Sequence, residues 1–254
     1  MSTPSITRFD AIDPSTTPEA LIEILRRDGG VIVENLISQD LAAQIKADLK
    51  PHFDADIPDK YGFFPSTTQR ATGLLGISDA CVELACNPLY IAVANALVSS
   101  RYTMWRGDRQ ETLPVMIGCV TALTKTVKEN GATIAIPGSH LWSPERRPLD
   151  GEAVPAELEP GDALIFLGNL YHAGGANTTQ NECRETVGIF LCQPTLRPAE
   201  NYFLEIPLER VRKLKPQAQR LLGYGVMEPG VGFMHYQDPM RVLFGVEDEE
   251  TINM

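Results

Sequence analysis

The spacing of hydrophobic residues follows a helical period through the first hundred residues of the chain. Apolar positions there recur every three or four residues, as on an amphipathic helix. The first such segment follows Thr16–Thr17–Pro18–Glu19, which offers a capping hydroxyl and a proline suited to a first helical turn. It ends at Gly29–Gly30, a typical helix stop. The pattern therefore predicts a helix between these two signals.

Two further helices and one strand are predicted in the same region. Ser38 is placed to cap a second helix, whose apolar residues Leu41, Ile45 and Leu49 are four apart. The third helical pattern begins at Asn87–Pro88 and continues to residue 97. Between the first two helices, residues 31–33 form a short β-branched run that predicts a buried strand.

The pattern becomes strand-like after residue 105. Runs rich in β-formers and closed by turn residues predict strands over residues 115–123, 133–136, 163–167 and 186–192. The turn signals are Asn130–Gly131, Pro137–Gly138 and Glu159–Pro160–Gly161–Asp162. The last fifty residues return to a helical pattern, with helices predicted over 208–214 and 216–222.

This order of elements predicts a mainly β fold with flanking helices. The sequence shows no βαβ alternation, so we expect an antiparallel barrel or jelly roll supported by helices. A length of 254 residues fits one large domain. We therefore predict a single domain over 1–254, with a mostly helical flank (1–105), a β core (106–204) and a helical or coiled tail (205–254).

Charge and hydropathy exclude some partners. The chain has 33 acidic and 22 basic residues, a formal net charge of −11. A protein that neutralises phosphates needs a basic face, so we expect neither nucleic-acid nor membrane binding. No apolar run approaches the roughly 20 residues of a membrane span. Residues 1–13 are polar and acidic without a hydrophobic leader pattern, so the expected location is the cytoplasm.

The cysteines and histidines of the sequence limit which metal sites the chain could form. The five cysteines are scattered and lie mostly in apolar runs, which predicts reduced core thiols rather than a disulfide framework or a zinc site. Only four histidines are present: His52, His140, His172 and His235. Any histidine-based metal chemistry must use these four.

A series of short motifs in the centre of the chain resembles the phytanoyl-CoA dioxygenase (PhyH) superfamily. The matching segments are Glu129–Asn130–Gly131–Ala132–Thr133, Ile136–Pro137–Gly138–Ser139–His140–Leu141–Trp142, Glu159–Pro160–Gly161–Asp162, His172–Ala173–Gly174–Gly175–Ala176–Asn177–Thr178–Thr179, and Arg184 before Gly188–Ile189–Phe190. Each motif is short, but their order and spacing together argue against a chance match. The sequence is most similar to the fungal branch that oxidises meroterpenoids and related natural products.

The resemblance implies a double-stranded β-helix that uses Fe(II) and 2-oxoglutarate. In this family a His-x-Asp/Glu motif and a distal histidine form a 2-His-1-carboxylate facial triad. An arginine on a late strand binds the far carboxylate of 2-oxoglutarate, because its planar fork matches a carboxylate. Carried onto this sequence, His172 takes the distal ligand position and Arg184 takes the 2-oxoglutarate position.

The first half of the triad is missing from the expected interval. That interval is Arg106–Gly107–Asp108–Arg109–Gln110–Glu111–Thr112–Leu113–Pro114, and it contains no histidine. It is also shorter than the roughly 12–16 residues that two strands and a turn require. Asp108 keeps the carboxylate position of a His-x-Asp pattern, with an arginine in place of the histidine. We therefore predict that the chain does not bind iron stably.

Three functional hypotheses follow. The first is a metal-deficient pseudoenzyme that acts as the auxiliary subunit of an active paralogous oxygenase in a heterodimer, in the oxidation of a small terpenoid-type metabolite. The second is an active hydroxylase or desaturase with an atypical iron site built from Asp108, His172 and an improvised ligand such as His140. The third is a truncated form of an ordinary dioxygenase.

Overall fold

The computed structural model describes residues 5–56, 65, 67–98, 114–227 and 230–252. The chain divides into two compact units, one formed by Met1–Ala42 and Asn87–Gln193 and the other by Ala43–Cys86 and Pro194–Met254. The prediction of a single domain over 1–254 stays a prediction.

The described elements are the following, in chain order. They are β1 (Arg8–Asp10), α1 (Pro18–Asp28), β2 (Gly30–Glu34), α2 (Gln39–Ala55), α3 (Leu74–Ile77), α4 (Asp79–Ala85), α5 (Pro88–Val98), β3 (Met116–Ala122), β4 (Thr133–Ala135), β5 (Val154–Pro155), β6 (Ala163–Leu167), β7 (His172–Gly174), β8 (Thr186–Cys192), α6 (Tyr202–Glu205), α7 (Leu208–Val211), α8 (Pro216–Leu221) and α9 (Pro239–Phe244).

The larger sheet of the first unit has the strand order β1-β2-β6-β3-β8. Its central strands carry the long apolar runs of the sequence, and all five residues of β6 are buried. Helix α5 packs against this sheet, where the buried Tyr90 hydroxyl lies 3.0 Å from the carbonyl oxygen of Ile117 and 2.9 Å from that of Ile189. One face of the sheet is thus covered by helix.

A smaller sheet with the order β5-β4-β7 lies over the other face of the larger one. Residues of both sheets share one hydrophobic cluster: Ile6, Ile32, Ala122, Ala135, Ala156, Leu158, Leu164, Phe166 and Leu170. The side chains of Ala135 in β4 and Phe166 in β6 therefore point into the space between the two sheets. We call the sides of the two sheets that face this space their inner face. The arrangement confirms the predicted fold class, a mainly β fold with a double-stranded β-helix core and flanking helices.

The strongest sequence signals produced the elements expected of them. Thr17 caps α1, its hydroxyl accepting from the Ala20 amide, and Gly29 ends the helix in the left-handed region at φ 78°. A Cβ at Gly29 would lie 2.5 Å from Nδ1 of His140, so both the turn and the close packing favour glycine. The strands predicted at 163–167 and 186–192 are β6 and β8.

Two expectations were wrong. The chain does contain a βαβ unit, because β1 and β2 pair in parallel with α1 between them. The three residues of β1 include two charged ones, so no apolar period marked this strand. The helix predicted over 208–214 is also shorter, since α7 ends at Val211.

The second unit contains short helices joined by polar contacts. Arg210 of α7 donates to the Gly76 carbonyl at 3.0 Å and pairs with Asp79 at 2.6 Å. Ser78 caps α4 and also donates to Asp48 at 2.7 Å. Among the described helices, no single one is long and apolar enough to cross a membrane; α4 and α5 reach that length and hydropathy only when taken together.

Candidate functional site

His172 begins the short strand β7, at one edge of the smaller sheet. It pairs with Ala135 of β4, and Gly174 pairs with Thr133. Side chains two residues apart on a strand share a face. Because Ala135 belongs to the inner hydrophobic cluster, His172 and Gly174 lie on the same inner face, together with Thr133.

The His172 ring is held in one orientation. Its Nδ1 lies 2.8 Å from the carbonyl oxygen of Leu170, and its ring centroid lies 4.4 Å from that of Phe166. A carbonyl only accepts hydrogen bonds, so Nδ1 donates and Nε2 of the neutral ring carries a free lone pair. Metal-binding histidines have this arrangement, with the non-ligating nitrogen donating to a carbonyl or carboxylate.

Arg184 reaches the same face from the segment that leads into β8. Its Nη1 donates to Oγ1 of Thr133 at 3.3 Å. Its Nη2 lies 3.8 Å from where a Cβ on Gly174 would stand. Burial lowers the pKa of the Arg184 guanidinium from its usual value, yet an arginine stays protonated at neutral pH. The structure thus brings the two predicted residues, His172 and Arg184, to neighbouring positions.

The third predicted site residue, Asp108, lies outside the described residues, as does most of the interval from Arg106 to Pro114. The described ranges contain no group of three His, Cys, Asp or Glu side chains that could hold a metal ion. A facial triad needs two histidines and a carboxylate. His172 is oriented for the task, but the residues described in this structure do not complete an iron site around it.

The other histidines have positions of their own. His140 faces the end of α1, with Nε2 3.1 Å from the Arg26 carbonyl and Nδ1 buried against Gly29. This placement supports packing and helix capping rather than metal binding for His140. His52 is exposed in the last turn of α2, and His235 lies in a turn at φ 54°.

The cysteines are free thiols, all five of them lying within the described ranges. Cys81, Cys86 and Cys119 are buried, as expected of core thiols, whereas Cys183 is exposed and Cys192 is half-buried. Burial raises the pKa of Cys81 to about 11 and that of Cys119 to about 12. These two thiols stay protonated and unreactive at neutral pH.

Two β-sheets packed face to face, with His172 and Arg184 on their inner face, are the fold class of the iron and 2-oxoglutarate oxygenases. Solved structures of this class match the chain. The epimerase SnoN in complex with Fe3+, alpha ketoglutarate and nogalamycin RO aligns with a TM-score of 0.54 at 21% identity, covering 76% of this chain and 90% of that one. The carbocyclase SnoK from nogalamycin biosynthesis gives 0.52 at 17% identity, over 69% and 85% of the two chains.

The sequence comparisons identify the family. Residues 92–185, which include His172 and Arg184, match the family model Phytanoyl-CoA dioxygenase (PhyH). Dioxygenase himG of Aspergillus japonicus is 31% identical over 92% of this chain and 90% of its own length. Dioxygenase peniF of Penicillium patulum is 32% identical, over 90% and 89%. The chain belongs to the phytanoyl-CoA dioxygenase (PhyH) family, as predicted.

The relatives contain stretches that this chain lacks. The alignments with himG and peniF extend over 292 and 276 residues, although the whole chain has only 254. Since each alignment is longer than the chain, part of each relative has no counterpart here. The alignment lengths do not locate these stretches along the chain, so the shortening of the interval from Arg106 to Pro114 stays a prediction.

Three residues of the site were not predicted as site residues. Thr133 bonds Arg184, the Phe166 ring packs against His172, and a Cβ on Gly174 would lie 3.8 Å from Nη2 of Arg184. Only the pairing of β4 with β7, and the packing of β6 below them, brings these residues to the site. Such non-local pairing leaves no periodic signal in one segment.

Proposed function

We propose that this protein is an auxiliary, metal-deficient subunit that supports an active paralogous oxygenase acting on a small terpenoid-type metabolite. The carrying observation is that His172 has the orientation of an iron ligand while the described residues contain no group of three side chains that could hold a metal ion. A single imidazole binds Fe(II) weakly, because affinity comes from several preorganised ligands. The sequence relatives, which are named dioxygenases, support the oxygenase context.

The outer edge of β8, which no other described strand pairs with, supports a role in assembly. The Leu123 amide donates to Glu185, and the Gln193 amide donates to Val115, each at 3.0 Å. Hydrogen-bonded pairs alternate along antiparallel strands, so the backbone groups of Gly188 and Phe190 point away from β3. Among the described residues, β8 ends the larger sheet and β7 ends the smaller one.

The strand itself lacks the charged residues and proline that usually protect an edge against unwanted pairing. The seven residues of β8, Thr186–Cys192, include no charged residue and no proline. Natural proteins normally blunt a long edge strand with charges, proline or a covering element. Phe190, at its centre, is 46% exposed. An uncharged edge beside an exposed aromatic ring suits pairing with another chain, and the paralogous subunit is the proposed partner.

Co-expression with an intact PhyH-family paralogue tests this proposal. We expect a 1:1 complex by light scattering, and oxygenase turnover that is unchanged by His172→Ala in this chain. Substituting the corresponding ligand histidine in the paralogue should abolish turnover, which serves as the matched control. A complex that stays intact but loses turnover with His172→Ala would contradict the auxiliary role, because the chemistry would then need this chain's histidine.

A further inference from the structure

The second unit contains a cavity of about 240 Å³ among its C-terminal helices. The residues that line it are Arg212, Leu214, Pro216, Gln219, Phe244 and Val246. They differ in burial: Leu214 and Gln219 are buried, whereas Arg212 and Pro216 are exposed. The cavity therefore has a buried floor and an exposed rim that carries a positive charge.

Gln219 brings an unsatisfied hydrogen-bond acceptor to this cavity. The residue is 2% exposed, and its Nε2 donates to the Val211 carbonyl at 3.0 Å. Because a carbonyl only accepts hydrogen bonds, this contact fixes which end of the side-chain amide is the nitrogen. The other end, Oε1, is buried and has no partner among the described residues. A buried acceptor without a partner is destabilising, so the position favours a bound hydrogen-bond donor.

Arg212 supplies the positive charge at the rim. Its Nη1 donates to the Leu243 carbonyl at 2.5 Å, and its Cζ lies 6.0 Å from the centroid of the Phe244 ring. Among the described residues it forms no ion pair, although an acidic segment follows the cavity. The carboxylates of that segment pair with other arginines, Asp248 and Glu250 with Arg220 and Glu247 with Arg241. The remaining donors of the Arg212 guanidinium can therefore bind an anion.

We propose that this cavity binds a small organic acid with an apolar body and a hydrogen-bond donor at the end opposite its carboxylate. The carboxylate pairs with Arg212, and the donor reaches Oε1 of Gln219. The body packs against the apolar side chains of Leu214, Phe244 and Val246. Ligand pockets combine apolar walls with a few placed polar groups in this way. The inference goes beyond the proposed function, since it uses neither iron nor the two sheets.

Saturation-transfer difference NMR on the full chain, with 4-hydroxybenzoate as the probe, tests the proposal because it detects weak ligands. A water molecule takes about 30 Å³ of liquid, so the cavity suits a compact molecule of about ten non-hydrogen atoms, such as this one. Benzoate is the matched ligand, with the same ring and carboxylate but no hydroxyl. We expect 4-hydroxybenzoate to bind at least about fivefold more tightly than benzoate, because its hydroxyl supplies the missing donor.

Three variants assign this preference to its residues. Gln219→Leu should remove the preference and leave the dissociation constant of benzoate within about twofold of its value for the unmodified chain. Arg212→Met should weaken both acids at least about tenfold. Lys213→Met, at the neighbouring exposed cation that does not line the cavity, should change neither. Circular dichroism on each variant checks that the fold is retained.

Several outcomes would overturn the proposal. They are no binding of either acid, equal affinity of the unmodified chain for both, and binding that survives Arg212→Met. A preference for 4-hydroxybenzoate that persists in Gln219→Leu would also overturn it, because the hydroxyl would then be recognised elsewhere. None of these results bears on the auxiliary role, whose test is the turnover of the co-expressed complex.

Discussion

Phe166→Ala is expected to lower the free energy of unfolding by about 3–5 kcal/mol, the usual cost of removing a buried aromatic ring. The Phe166 side chain is 1% exposed and fills the space between the two sheets. It contacts the His172 ring and meets Phe190 edge-on, with centroids 6.2 Å apart. A Cβ at Gly118 would lie 2.7 Å from its Cζ, so the neighbouring strand is shaped around the ring.

Urea unfolding of the two matched phenylalanine variants measures this effect. Phe190→Ala removes a ring of the same size from a position that is 46% exposed. It should therefore lower the free energy of unfolding by only about 1 kcal/mol. If the two variants lower the free energy of unfolding equally, or if Phe166→Ala lowers it by less than about 1 kcal/mol, the inner face is not packed as described.

Asp162→Ala should lower the free energy of unfolding by about 2–4 kcal/mol, because it leaves two partly buried backbone donors without their partner. The Asp162 carboxylate, 6% exposed, accepts from the amides of Asn35 and Glu159, each at 2.9 Å. It thereby joins the turn before β6 to the end of β2. Asp162→Asn should lower the free energy of unfolding less than Asp162→Ala does, since one acceptor oxygen remains.

Glu159→Gln is the control for this turn. Glu159 forms an exposed ion pair with Lys125 at 2.7 Å, and exposed pairs of this kind contribute only about 0–1 kcal/mol. Thermal denaturation should therefore show that Asp162→Ala is the least stable variant and that Glu159→Gln is nearly as stable as the unmodified chain. An Asp162→Ala protein as stable as Glu159→Gln would show that the two amides find other partners.

The sequence predicted those elements whose local pattern is strong. Helix α1 has a capping threonine, an N-terminal proline and a terminal glycine, while β3, β6 and β8 carry five to seven consecutive residues rich in β-formers. The short strands β1, β5 and β7 have only two or three residues each. Their existence depends on pairing with distant segments, which no local periodicity records.

The site could be predicted only in part, for a related reason. The resemblance to the PhyH superfamily pointed to His172 and Arg184, and the pairing of β4 with β7 places both near Thr133. The fixed orientation of the His172 ring depends on the Leu170 carbonyl and on Phe166. A histidine count limits how many ligands exist, but only three-dimensional packing decides where each ring nitrogen points.

The position of His140 illustrates the same limit. Its motif resembles that of the family, and the hypothesis of an atypical iron site uses it as an improvised ligand. In the structure its ring contacts the carboxyl end of α1, where Nε2 meets the Arg26 carbonyl. A helix end presents unpaired carbonyls that a nearby donor can satisfy. This requirement lies more than a hundred residues away in sequence, so the motif alone does not reveal it.

Anaerobic titration of the purified chain with Fe(II), with and without 2-oxoglutarate, is the most direct test of the central claim that this PhyH-family protein has no iron site of its own. The account predicts no stoichiometric binding in the micromolar range, and no difference between the unmodified chain and His172→Ala. Stoichiometric micromolar binding that disappears in His172→Ala would contradict the claim.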